Sequence, residues 1–165
     1  MLAIVSLPWA GMSTVFTKIL NGEIPGRFVY RDETVAAFLT IEPIAYGHTL
    51  VIPVAEVDKW TDLDPQVWLH ANEVAQEIGR AIIDAFGSER AGYLIAGFEV
   101  PHAHIHVFPA DDMSGYNLAS VMRPDDTDPA EMDLAAAKLR ERLGTGEDGL
   151  SLIHISEPTR RYAIS

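Results

Sequence analysis

The sequence predicts an α+β domain with a mainly antiparallel sheet, and three observations carry that prediction. Short runs rich in β-branched and aromatic residues, each closed by Gly, Pro or acidic turn residues, read as strands. Two Asp-Pro pairs, Asp64-Pro65 and Asp128-Pro129, open stretches with apolar residues at helical spacing. The order is strands, a long helix, further strands and a terminal helix, which is the α+β arrangement.

The elements follow in chain order. Val15–Leu20 has helical apolar spacing and stops at Asn21-Gly22. Ile24-Pro25-Gly26 is a turn. Phe28-Val29-Tyr30 is a strand, joined through Arg31-Asp32-Glu33 to a second over Val35–Leu39. After the loop Glu42–Gly47, a third strand runs His48–Pro53. Asp64 caps the clearest helix, whose stripe of Val67, Trp68, Ala71, Val74, Ala75, Ile78, Ile82 and Phe86 ends at Gly87. Gly92–Gly97 reads as the fourth strand and Pro101–Pro109 as the fifth. A second helix follows Asp128-Pro129, with Met132, Leu134 to Ala137, Leu139 and Leu143, and ends at Gly144. His70, beside Trp68 and Leu69, reads as surface or interface.

Composition bounds the function. The 165 residues suit one domain with a real core. Twenty-four acidic against twelve basic residues give a formal charge of −12. With no basic run to displace counterions, binding to nucleic-acid polymers or anionic membranes is not expected. A small anionic ligand held by histidines and backbone N–H groups is compatible with that charge. The absence of cysteine excludes disulfides and fits a reducing, cytoplasmic location. Residues 1–11 read as a non-native or disordered leader with translation starting at Met12. Residues 149–165, including His154, resemble read-through of adapter or vector DNA and read as a non-native tail. The domain itself is expected over 12–148.

The stretch Pro101-His102-Ala103-His104-Ile105-His106-Val107-Phe108-Pro109 holds three of the six histidines at two-residue spacing. On a regular strand the imidazoles would line one face ~6.7 Å apart, with the apolar residues on the other. Three readings compete. The histidines could be ordinary solvent-facing strand residues. They could bind a metal, although the first and third would lie ~13 Å apart, too far to share one ion. Or a neutral imidazole could attack phosphorus while its neighbours donate hydrogen bonds to the developing charge. Flanking imidazoles would then keep the central His104 neutral near pH 7.

The run His102–Phe108 resembles the His-φ-His-φ-His-φ-φ signature of the histidine-triad (HIT) family, where φ is apolar. Val15-Phe16-Thr17-Lys18-Ile19 with Gly22-Glu23-Ile24-Pro25 is similar to that family's N-terminal stretch. Gly47-His48-Thr49-Leu50-Val51-Ile52-Pro53 is similar to its Gly-His-x-Leu-Val-x-Pro strand. The likeness spans roughly Met12 to Ala110 and is nearest to the Hint branch.

The resemblance implies a HIT-like fold with a five-stranded sheet, a long helix and a C-terminal helix. It implies a hydrolase or transferase acting at the α-phosphorus of nucleoside phosphoramidates or related conjugates through a covalent nucleotidyl-histidine. His104 would be the nucleophile. His106 would contact the phosphate and assist the leaving group, His102 would orient the site, and His48 would stand beside the triad. Phe16 and Ile19 would wall the base pocket, with Thr40 and Glu99 as the other candidate nucleotide contacts. A homodimer through the long helix and sheet edge, with Trp60 and Trp68, is also implied. No cofactor is expected.

The chain departs from the family pattern at several positions. Thr40 replaces an aspartate that grips the ribose, and a hydroxyl binds a diol more weakly than a carboxylate. Phe98-Glu99 replaces a polar pair, and Tyr93–Ala96 lacks an expected asparagine. Thr14 and Thr17 stand where zinc-containing relatives have Cys-x-x-Cys, so no structural zinc is expected. These departures keep open a non-catalytic nucleotide-binding or interaction protein, with dinucleoside polyphosphate or metal-dependent hydrolysis as further alternatives.

Overall fold

The computed structural model describes residues 13–152. The expected leader 1–11, Met12 and His154 lie outside the described residues. Helix α1, Val15–Leu20, starts at Thr14, whose side chain accepts the Thr17 N–H as an N-cap. Strands β1 (Phe28–Arg31) and β2 (Val35–Leu39) form a hairpin. Asp32 Oδ1 shapes its turn by accepting the N–H groups of Thr34 and Val35, each at 2.9 Å. Strand β3 is Thr49–Pro53. Helix α2, Pro65–Phe86, has Asp64 as N-cap and a left-handed Gly87 at its C-terminus. Strands β4 (Arg90–Leu94) and β5 (Ile105–Ala110) follow. Helix α3, Pro129–Leu143, repeats the Asp128 cap and Gly144 stop.

The sheet has five strands in the order β1-β2-β3-β5-β4, and every neighbour is antiparallel. Its two faces bury different sets. On one, Val35, Ala37, Val51, Ile105 and Val107 pack with Val74, Ile78 and Ile82 of α2 and Leu139 of α3. On the other, Phe28, Ala36, Phe38, Leu50 and Ile52 pack under Phe16 and Leu20 of α1. His106 pairs directly with Leu50, so it shares this second face, away from the long helices. Among the described residues no helix is long and apolar enough to cross a membrane.

Two strand expectations need correction. The fourth strand is Arg90–Leu94 rather than Gly92–Gly97, because pairing with β5 ends at Leu94 opposite His106. The fifth begins at Ile105, not Pro101, so only His106 of the triad is on a strand. Ahead of it, the backbone is engaged elsewhere: Ala103 N–H bonds to Val57 O, in the loop after β3, at 2.7 Å, and His102 N–H closes a local turn onto Val100 O at 2.8 Å. Those donors are therefore lost to the sheet ladder. Pro109 lies inside β5 rather than closing it. The missing N–H is tolerated there because pairing with β3 has already ended at Val107. Of the expected tail, Gly149 to Leu152 fold back: Leu152 N–H reaches Gly144 O at 2.8 Å, and Thr145 and Ser151 form an isolated bridge.

Candidate active site

The site is built where the start of β5, the start of β3 and helix α1 meet. His48, just before β3, and His106, on β5, face each other with ring centroids 5.2 Å apart. The His104 and His106 ring centroids lie 4.9 Å apart, with His104 in the segment just before β5. Phe16 of α1 closes the group edge-on, 5.0 Å from His104 and 5.7 Å from His102. His48, His102 and His104 are buried, at 2%, 0% and 7% exposure, and His106 is half-buried, so the triad does not face solvent as ordinary strand residues would.

Hydrogen-bond partners fix the ring tautomers. The Ile44 N–H donates to His48 Nδ1 at 3.0 Å, so the His48 proton is on Nε2. His48 Nε2–H then donates to His106 Nδ1 at 2.9 Å, which puts the His106 proton on Nε2. His104 Nδ1–H donates to the His102 carbonyl at 2.7 Å, leaving Nε2 as a bare lone pair. His102 Nε2–H donates to Pro53 O at 2.8 Å, while its Nδ1 accepts the Thr14 hydroxyl at 2.9 Å. The cluster thus combines one unprotonated imidazole nitrogen with one neighbouring N–H donor, both without another protein commitment in these bonds.

Burial is the main reason the imidazoles are neutral. It pushes His48 down to about 3, with smaller contributions from His106 and His104. It pushes His106 down to about 4, with His104 adding to the effect. His104 is also lowered by burial, but its bond to the His102 carbonyl and the charge of Glu99 pull it back up. Mutual repulsion, the cause expected from spacing, is therefore secondary to desolvation.

The remaining candidates fall in three groups. Phe16 and Ile19 belong to the apolar cluster beneath the histidines. Thr40 is half-buried beside His48, its N–H on the His48 carbonyl at 3.2 Å and its hydroxyl oxygen accepting from Glu42 N–H at 3.2 Å. Glu99 is exposed on the loop before the triad, next to Phe98 at 96% exposure, and reaches the site through its charge on His104. His70 is not part of the site or a free surface residue. Its Nε2 pairs with Asp32 Oδ2 at 2.6 Å and ties α2 to the β1–β2 turn.

Glu56 is the residue sequence reasoning missed. Its Oε1 accepts the Thr17 hydroxyl at 2.6 Å and the Thr14 N–H at 2.8 Å, and these two bonds hold its carboxyl below the usual range. The one available signal was its place just after the Pro53 strand end. Zinc does not fit at this point. Of Thr14, Thr17, Glu56 and His102 only two are residue types that ligate zinc, and both hydroxyls are already committed as donors. Among the described residues no group of three or more His, Cys, Asp or Glu is placed to hold a metal.

A five-stranded antiparallel sheet with three alternating histidines gathered at the head of β5, beside a fourth at the start of β3 and under the Phe16 ring, defines a class of small nucleotide-handling domains. Residues 21–113 match the family model for the HIT domain, and the chain belongs to the HIT family. It is 33% identical to Protein hit of Bacillus subtilis over 140 residues, covering 79% of this chain and 94% of that protein. It is 33% identical over 103 residues to the yeast (Saccharomyces cerevisiae) protein named adenosine 5'-monophosphoramidase HNT1, covering 61% of this chain and 65% of that one. Among solved structures, a zinc-bound histidine triad family protein from Mycobacterium smegmatis superposes with a TM-score of 0.68 at 29% identity, covering 81% of this chain and 94% of that chain. The family therefore includes hydrolases, and its Hint-like branch is represented among the relatives.

Proposed function

We propose that this protein is a nucleotidyl hydrolase or transferase that cleaves at the α-phosphorus of nucleoside phosphoramidates or related conjugates. The observation that carries the reading is the Nδ1–H bond of His104 to the His102 carbonyl, 2.7 Å long. It commits the proton to Nδ1 and leaves Nε2 free to attack. In the proposed reaction Nε2 bonds to the α-phosphorus and the bond to the leaving group breaks. The imidazole becomes cationic, and the His102 carbonyl at its Nδ1–H stabilises that charge. Water then attacks phosphorus, the P–N bond to His104 breaks, and a nucleoside monophosphate is released.

His106 serves as a fixed donor in this scheme. Its Nδ1 is occupied by His48, so Nε2–H points its proton at the phosphate oxygens without being released to them. An amine leaving group takes its proton from water. Phe16 and Ile19 offer an apolar wall for a base, and Thr40 and Glu99 are proposed as polar contacts to the nucleotide.

Incubation with adenosine 5'-phosphoramidate, quenched and read by intact mass, is expected to give an adenylylated chain and free AMP. His104→Ala is expected to lose both. Identical turnover by the two proteins with no adduct would sink the reading for this substrate class. The alternative reading is a non-catalytic nucleotide-binding protein: the Thr40 hydroxyl accepts the Glu42 N–H and keeps its O–H free to donate to a ligand. That reading expects thermal stabilisation by AMP without any product.

Partner and extent follow the same line. Strand β4 is an edge of the sheet, and Leu69, Ile83 and Tyr93 stand exposed around it and on α2. Trp60 and Trp68 stack 5.0 Å apart nearby. We infer a homodimer through this face, with residues 12–148 as the domain and a cytoplasmic setting; light scattering at micromolar concentration tests the dimer.

A further inference from the structure

The buried end of the histidine cluster is tied to residues that the proposed reaction does not touch. The His102 ring has 0% exposure, so both of its nitrogens must be satisfied by protein. Pro53 O takes the Nε2–H at 2.8 Å, and the Thr14 hydroxyl supplies Nδ1 at 2.9 Å. Thr14 is itself held by two bonds, and a third braces its holder. Its hydroxyl oxygen accepts the Thr17 N–H at 3.2 Å, its own N–H goes to Glu56 Oε1 at 2.8 Å, and the Thr17 hydroxyl donates to that same oxygen at 2.6 Å. The loop after β3 thus clamps the first turn of α1 onto the ring. The peptide of the clamped residue then supplies the carbonyl that fixes His104.

We propose that Thr14, locked by Glu56 and Thr17, is a positioning residue that sets the His102 ring and through the His102 carbonyl aims the Nε2 lone pair of His104. The catalytic consequence rests on the nucleotidyl-transfer reading above. Replacing the hydroxyl by a methyl leaves a buried Nδ1 lone pair without a donor. The ring or its peptide must shift to find one. A shifted carbonyl releases His104 Nδ1–H and admits the other tautomer, whose protonated Nε2 cannot attack. Substrate binding is unaffected by that change, so the loss falls on kcat.

The test compares wild type, Thr14→Val and Thr14→Ser with adenosine 5'-phosphoramidate, and reads the His102 ring separately by ¹⁵N NMR. Thr14→Val is expected to lower kcat about tenfold to a hundredfold, in line with loss of a supporting hydrogen bond behind a reacting group, with KM within about twofold. Thr14→Ser keeps the hydroxyl and is expected to return kcat to within about threefold of wild type. In wild type the NMR arm should find His102 protonated on Nε2 and hydrogen-bonded, unprotonated, on Nδ1. In Thr14→Val the Nδ1 resonance should move to the value of a free lone pair. Wild-type kcat in Thr14→Val, an equal loss in Thr14→Ser, or a proton on His102 Nδ1 would each overturn the proposal. If wild type shows neither turnover nor adduct, the hydrolase reading fails while the NMR arm still judges the clamp. Should Thr14→Val not fold, Glu56→Ala at the exposed rim carries the test: a several-fold fall in kcat with steady KM is expected, and an unchanged kcat refutes it.

Discussion

Acidification should destabilise this protein through its histidines, and the size of the effect can be worked out. His48 and His106 are held neutral in the fold, pushed down to about 3 and about 4. In the unfolded chain each titrates near 6.5. Their folded values are depressed, so the unfolded state binds more protons between those limits and stability rises with pH there. The contribution is complete above about 6.5 and is lost progressively as pH falls towards the folded values. At pH 5 both are still neutral when folded and almost fully charged when unfolded. Each therefore loses about 2 kcal/mol between pH 7 and 5, about 4 kcal/mol for the pair. For a domain of this size that is a fall in Tm on the order of 10 °C.

The chain also carries a formal charge of −12, and protonating exposed carboxylates relieves their repulsion over the same range. The assay therefore compares wild type with His48→Asn/His106→Asn by thermal unfolding at pH 7 and pH 5. The double variant is expected to lose about 10 °C less than wild type on acidification. Equal shifts in the two proteins would refute the assignment of buried neutral imidazoles.

Two further outcomes test the surroundings of the cluster. Phe16 is buried and edge-on to Phe38, His102 and His104, so Phe16→Ala should cost about 3 kcal/mol in urea unfolding and raise KM for a nucleotide substrate; a cost below about 1 kcal/mol would mean that α1 does not close the site. The oxygens of Thr14 and Thr17 lie 3.4 Å apart, with His102 Nδ1 2.9 Å from the first and Glu56 Oε1 2.6 Å from the second. Thiolates at the two threonines would complete a Cys₂-His-Glu donor set, with the His102 Nε2–H already bonded to Pro53 O as a metal-bound histidine requires. Thr14→Cys/Thr17→Cys should accordingly retain about one zinc per chain by elemental analysis after dialysis, and a metal-free double variant would disprove that geometry.

Local devices made the helices legible. Asp64-Pro65 with Gly87, and Asp128-Pro129 with Gly144, are capping signals that act within one turn, so sequence and structure agree on both ends of both helices. The histidine stretch was legible as chemistry but not as conformation. Its alternation matches a strand, yet Ala103 N–H is taken by Val57 O, a partner 46 residues earlier that no periodicity reveals. The clamp behind His102 was hidden for the same reason. Thr14 meets His102 across 88 residues and Glu56 across 42, and neither threonine nor glutamate carries a signature there.

The cause of imidazole neutrality also changes what His106 can do in the proposed reaction. Repulsion between neighbouring imidazoles, the cause suggested by spacing, would be offset as soon as an anionic phosphate entered, and His106 could then charge and act as a general acid. Burial gives a different result when combined with the bond from Ile44 N–H to His48 Nδ1. A second proton on His106 Nδ1 would face the His48 Nε2–H, and His48 cannot switch tautomers without abandoning the Ile44 N–H. His106 is thereby restricted to donating a hydrogen bond. Leaving groups that depart as stable anions should for that reason lose nothing to the absence of an acid, whereas amines depend on protonation from solvent.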